Sequence, residues 1–343
     1  MVSALDNSTI AIAAFLIAAA VVLWAGLRMT AIADTIADRT GLGEAVIGGL
    51  LLGLSTSLPG IVTSVWAAAN DEPALAVTNA VGGIAAQTTF LVAADILYRR
   101  VNLEHAAADV SHLIQASSLI VLLSVAIAAS LAPPVSVLGV HPISLVLFAA
   151  FALSSRASFQ VRTQPTWRPD MTSDTREDTP ADEPDDAESK SNLELALTFA
   201  GLAGLLTVSG IVIAQSGTTI SAAFGVSTTV VGFVLTAVAT SLPELVTTIA
   251  AVRRGALQLA VGGIIGGNTF DVLFLGFADI AYRDGSIYHA VTDRDVFMIA
   301  VAILISAILL TGIIMRDRRG IGFEGGAILV VYVAAVAVQI ALG

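Results

Sequence analysis

Long apolar runs, each ended by a short polar or charged break, fill this chain from residue 8 to residue 342. About 20 apolar residues cross a bilayer as an α-helix, and in lipid only helices and closed barrels satisfy the backbone. Ten such runs can be placed, near 8–30, 44–69, 74–98, 107–131, 138–156, 193–223, 228–252, 257–283, 292–315 and 321–342. Charged residues make up 13% of the 343, against about 25% in an ordinary soluble domain. A soluble globular fold is therefore excluded, and an all-α integral membrane protein with ten transmembrane helices is expected. The first run has no basic leader and outlasts a signal-peptide core, so it reads as a mature span. With no cysteine in the chain, disulfide frameworks, thiolate metal sites and thiol catalysis are excluded.

Lysine and arginine set the orientation, because loops rich in them stay on the cytoplasmic side. Counted from an outside N-terminus, fourteen basic residues fall on the inner side and only Arg283 and Arg294 on the outer. The expected topology has both termini outside. Between the fifth and sixth runs, residues 160–192 are rich in Pro, Thr and acids. Nine acids face only Arg176 between positions 170 and 188, which accounts for most of the net charge of −11. This stretch has almost nothing to bury and is expected to be a disordered cytoplasmic linker. The acidic balance argues against a nucleic-acid partner; the lipid bilayer and small inorganic cations are the expected ones.

The linker separates residues 1–159 from residues 193–343, and these halves are copies. "TSLPGIVTS" at 56–64 matches "TSLPELVTT" at 240–248, an offset of 184. At that offset Gly26 falls on Gly210, Gly82 on Gly266, Gly83 on Gly267, and "FLVAADILYRR" at 90–100 on "FLGFADIAYRD" at 274–284. Each copy holds five runs, an odd number, so the second enters the membrane from the opposite side. Two inverted-topology five-helix repeats are expected, an architecture of secondary transporters.

Each repeat carries Thr-Ser-Leu-Pro inside an apolar run: Thr56, Ser57, Leu58 and Pro59, then Thr240, Ser241, Leu242 and Pro243. Proline lacks the amide hydrogen and clashes with the carbonyl four residues earlier. The carbonyls near Gly53–Ser55 and Ala237–Ala239 then need another partner, and a desolvated cation is one; the alternative is a kink with the hydroxyls bonded back to their own helix. Glu244 and Asp271 are carboxylates within spans, expensive to place there. No basic residue lies in the central part of any span, so a salt bridge is not expected. A cation or a proton must therefore balance those acids. Asp95 and Asp279, near Tyr98/Arg99 and Tyr282/Arg283, read as interfacial anchors.

"ATSLPELVTTIAAVRRG" followed by "LAVGGIIGGNTFD" resembles the second α-repeat of the sodium/calcium exchanger family of cation/calcium antiporters. The resemblance extends over nearly the whole chain. It implies central sodium and calcium sites, no cofactor, and Thr240, Ser241, Glu244 and Asp271 as ligands from the second repeat, with Thr56 and Ser57 from the first. Gln87 falls on Asp271 at the repeat offset, and its amide oxygen can coordinate. The chain also departs from the pattern. Gly60 stands where the first repeat should carry its glutamate, Gly83 and Gly267 where ligand serines should be, and Thr78 and Gly263 break two Gly-Asn pairs. Calcium takes six to eight oxygens, so Gly60→Glu is expected to tighten a divalent site. Sodium/calcium exchange is the expected function. The alternatives are monovalent cation/proton exchange and a non-transporting cation-binding subunit; no Ser/His pairing suggests an enzyme.

Overall fold

The computed structural model describes residues 8–40, 49–98, 102–107, 109–163, 191–315 and 322–342. Among them the chain is helical, apart from short turns and an isolated bridge between Val137 and Val140. The first half forms α1 (Ser8–Thr40), α2 (Gly49–Ala69), α3 (Pro73–Tyr98), the short α4 (Leu103–Ala106), α5 (Val110–Leu131) and α6 (Pro142–Thr163). The second half begins with α7 (Asn192–Phe224). It continues through α8 (Thr228–Val230), a π-helical turn (Val231–Thr236), α9 (Ala237–Thr240), α10 (Leu242–Arg254), α11 (Leu257–Asp271) and α12 (Leu273–Ala281). The short α13 (Ile287–Ala290), α14 (Asp293–Met315) and α15 (Phe323–Leu342) complete it.

Eight described helices are long and apolar enough to cross a membrane, or nine if the bent pair Thr228–Thr240 and Leu242–Arg254 is one span. The second predicted span corresponds to α2, a 21-residue helix that is not among those nine; residues 41–48 before it lie outside the described residues. The expectation of ten spans is thus met for nine. The predicted linker also shortens at its start, because α6 continues through Gln160 to Thr163. At its other end Ser191 caps α7 in a reciprocal box with Glu194, satisfying two amides that the first turn leaves open. Residues 164–190, most of the predicted linker, lie outside the described residues.

Burial is greatest in α3 and in α11 with α12, and small residues explain how they pack so closely. A Cβ on Gly82 of α3 would lie 2.5 Å from the Phe233 carbonyl oxygen, and one on Gly232 would collide with the Thr78 hydroxyl. The two glycines notch α3 against the π-helical turn. A separate apolar seam joins α1 to α7, where Phe15, Val22 and Met29 meet Leu202, Leu206 and Ile213. This pair rests on the two proline-bearing helices. A Cβ on Gly26 would sit 2.6 Å from Pro243 Cγ, and one on Gly210 would sit 2.8 Å from the Pro59 carbonyl oxygen. Residues related by the repeat offset thus make related contacts.

Asp95 and Asp279 repeat the pattern in a way the sequence reading did not anticipate. Both side chains are buried within the protein and hydrogen-bonded there. Asp95 accepts the Leu103 amide at 2.8 Å, and Asp279 accepts the Ile287 amide at 3.0 Å. Each carboxylate ties down the short helix that follows its span, α4 or α13. Asp279 also accepts from the His141 amide and the Ser144 hydroxyl, both at 2.7 Å. Near Asp95, Glu104 on α4 is buried with one carboxylate oxygen unpartnered, while Asn102 donates to Glu324 at 2.6 Å.

Two outcomes are expected from this packing. Gly210→Ala should cost about 1–3 kcal/mol through overpacking, read as a lowered Tm of the purified protein. Gly201→Ala, where a Cβ meets nothing within 4 Å, should cause no loss. Burial, and then the charges of Asp95 and Glu324, push the Glu104 carboxyl up to about 8. Its folded value lies above its unfolded one. Its contribution to stability is therefore full below about 4.5 and is lost as pH rises through about 8. Glu104→Gln should flatten the fall in Tm across that window.

Candidate functional site

The bend in the second repeat falls on its Thr-Ser-Leu-Pro. Ser241 adopts φ −97°, ψ 8° between α9 and α10, and the two helices meet at 50°. Proline at the start of α10 is compatible with a new first turn, where no amide donor is needed. Glu244 then occupies that first turn, where a carboxylate is favoured by the helix dipole. The local sequence therefore both breaks the helix and places an acid beside the break.

Glu244, Asp271, Thr240, Ser241, Gln87 and Ser57 line one cavity of about 10 Å³, joined by Gly60, Asn79, Gly83 and Phe274. That is room for roughly one water-sized particle. The Ser57 hydroxyl donates to Asp271 Oδ1 at 2.7 Å, and Gln87 Nε2 donates to Asp271 Oδ2 at 2.7 Å. Gln87 Nε2 also lies 3.2 Å from Ser241 Oγ. The Thr56 hydroxyl lies near the Glu244 carboxylate but donates to the Gly53 carbonyl at 3.3 Å, so Thr56 borders the cluster without lining the cavity itself. All seven residues singled out in the sequence are brought together. Two buried oxygens at this site, Glu244 Oε2 and Gln87 Oε1, have no hydrogen-bond partner.

The contacts follow the repeat offset until one position fails. Ser57 with Asp271 mirrors Ser241 with Gln87. Thr56 with Glu244 should be mirrored by Thr240 with residue 60, but Gly60 offers no side chain. Thr240 instead donates back to the carbonyls of Thr236 and Ala237, at 2.9 and 3.2 Å. Gly83 and Gly267 fit places for polar side chains. A Cβ on Gly83 would lie 3.5 Å from Asp271 Oδ2, and one on Gly267 would lie 3.3 Å from Gln87 Oε1.

The freed carbonyls are a correction. None of Gly53–Ser55 or Ala237–Ala239 lines the cavity. Ala237 and Val238 accept the Ser241 amide at 3.1 and 3.2 Å, and Thr56 Oγ1 is 3.3 Å from the Gly53 carbonyl oxygen. The Gly53, Ala237 and Val238 carbonyls are thus satisfied locally, and the polar side chains at the cavity are those of Ser57, Asn79, Gln87, Thr240, Ser241, Glu244 and Asp271. Two residues were missed. Asn79 donates to the Gly60 carbonyl at 3.1 Å and accepts from Thr236 at 2.7 Å; its place in the family pattern was the available signal, obscured by the Thr78 substitution. Phe274 had no sequence signal at all.

The match to known proteins is broad. The model of the "Sodium/calcium exchanger protein" family matches residues 10–159 and 193–341. The chain belongs to the sodium/calcium exchanger family. Members of this family are multi-pass membrane transporters that exchange cations by antiport. Among curated relatives, "Inner membrane protein YrbG" of Escherichia coli (strain K12) is 25% identical over 334 residues, covering 93% of this chain and 95% of that protein. In fold, the chain is similar to the H+/Ca2+ exchanger CAX, with a TM-score of 0.72 at 15% identity over 97% of this chain and 86% of that one. It is also similar to the sodium-calcium exchanger NCX_Mj, with a TM-score of 0.57 at 20% identity over 96% of this chain and 99% of that one. The two family-matched segments flank the predicted linker. The same fold thus serves a proton-coupled and a sodium-coupled exchanger, and this family member's own site must distinguish them. Among its described residues, no three His, Asp or Glu side chains are placed to hold a metal ion, so the acids of its cavity number two.

Proposed function

We propose that this family member exchanges calcium for sodium by alternating access. The cargo is bound between Glu244 and Asp271, with Ser57, Thr240, Ser241 and Gln87 contributing neutral oxygens and Thr56 beside Glu244. One observation carries this: two carboxylates converge on a buried cavity that no basic side chain lines. A desolvated cation supplies the missing charge, and the unpartnered Glu244 Oε2 and Gln87 Oε1 supply oxygens to it. Calcium takes oxygen ligands from carboxylates and amide carbonyls alike, and the set present is of that kind. The proposed frame is ten spans in two inverted five-helix repeats, 1–159 and 193–343. Both termini lie outside, and the acidic linker at 160–192 is cytoplasmic. The contacts of Gly26 with Pro243 and Gly210 with Pro59 support related halves.

Protons in place of sodium form the second reading. It is favoured by the absence of a third carboxylate at Gly60, which leaves less charge for a divalent ion, and by Glu244 Oε2, which has no hydrogen-bond partner and can take a proton. Purified protein in liposomes separates the two. Calcium-45 uptake driven by an outward sodium gradient at equal pH is the expected result; uptake that needs a pH gradient and ignores sodium selects the second reading. Glu244→Gln and Asp271→Asn should each lower calcium uptake by about tenfold or more, since stripping a buried charge of its partner costs more than ~1.4 kcal/mol. Wild-type uptake in either variant rejects the site.

A further inference from the structure

The place left by the missing first-repeat acid is not empty. Phe274 fills it. A Cβ on Gly60 would lie 2.6 Å from Phe274 Cε2 and 3.2 Å from its Cζ, well inside contact distance. The ring is buried and lines the cavity beside Glu244 and Asp271. Its position is fixed from behind: Phe270 meets it edge-on at 6.5 Å, and Phe151 of α6 meets Phe270 edge-on at 5.7 Å. Such aromatic stacks hold ring geometry, so Phe274 cannot turn aside cheaply for a larger residue at position 60. Its repeat counterpart Phe90 is only half-buried. The aromatic plug therefore belongs to one side of the site.

We propose that Phe274 sets the capacity of the cation site. By occupying the volume on the Gly60 side, it confines the cargo to a one-sided cage of two carboxylates that holds a single ion at a time. This rests on the cation-binding reading above. The cavity of about 10 Å³ admits one dehydrated ion and no second beside it. One calcium ion balances both carboxylates, whereas one sodium ion leaves a negative charge that a second ion has no room to neutralise. The sequence-level expectation for Gly60→Glu changes accordingly: the acid alone cannot enter while the ring is in place.

Calcium titration calorimetry on purified protein tests this with Gly60→Glu, Phe274→Ala and the double variant. The double variant is expected to bind calcium at least about tenfold more tightly than wild type, Gly60→Glu alone no more tightly, and Phe274→Ala alone no more tightly. Gly60→Glu matching the double variant would overturn the proposal, because the ring would then not be the obstacle. A double variant no tighter than Phe274→Ala would overturn it too. Where Phe274→Ala is not monodisperse, Phe274→Leu replaces it, and the same ordering with a smaller gain is expected. Glu244→Gln in the same assay separates the two levels. If it loses calcium binding while the double variant gains nothing, the site stands and the role of Phe274 falls. If it binds as wild type does, both fall.

Discussion

A carboxylate enclosed among apolar helices has to be compensated, and everything notable about this molecule gathers around two of them. Hydrogen bonds from Ser57 and Gln87 reach both oxygens of Asp271, which is partial compensation and leaves the charge itself uncancelled. Fixed arginine or lysine would have cancelled it permanently, and none lines the cavity. Compensation must arrive from outside and can leave again. That requirement links a costly interior to a transport function more directly than any feature of the surface.

The hydrogen bonds also bind the two halves of the chain together at the site. Ser57 and Gln87, from the first half, hold Asp271 from the second. Gln87 of the first half holds Ser241 of the second. Neither half alone supplies both the carboxylates and the donors that hold them. Glycines make the approach possible: Gly82 and Gly232 let α3 meet the π-helical turn with backbone and hydroxyl in contact. Close helix contact through small residues is the usual route to packing in lipid, and here it sets the spacing of a polar cluster.

Much of this was legible in the residues. The apolar runs placed nine of the spans, and the offset of 184 residues paired Ser57 with Ser241 and Gln87 with Asp271, which the cavity bears out as mirrored contacts. Local chemistry was harder to see. The Ala237 and Val238 carbonyls, two of those expected to face an ion, are taken up by Ser241 and Thr240, because a tight turn offers near donors. Asp95 and Asp279 sit beside Tyr and charged residues in the sequence, yet they turn inward to cap α4 and α13. Phe274 lies more than two hundred positions from Gly60, and only the crossing of α2 and α12 reveals that one fills the gap left by the other.

The same four residues take two shapes in this chain. Thr56 to Pro59 lie within a continuous helix, α2, whereas Thr240 to Pro243 straddle a 50° bend. Their local preferences are identical, so the difference must come from what surrounds them. The residue that follows each copy differs, Gly60 in one and Glu244 in the other, and so do the helices packed against it. The straight copy and the bent copy thus show that this tetrapeptide permits a bend without imposing one.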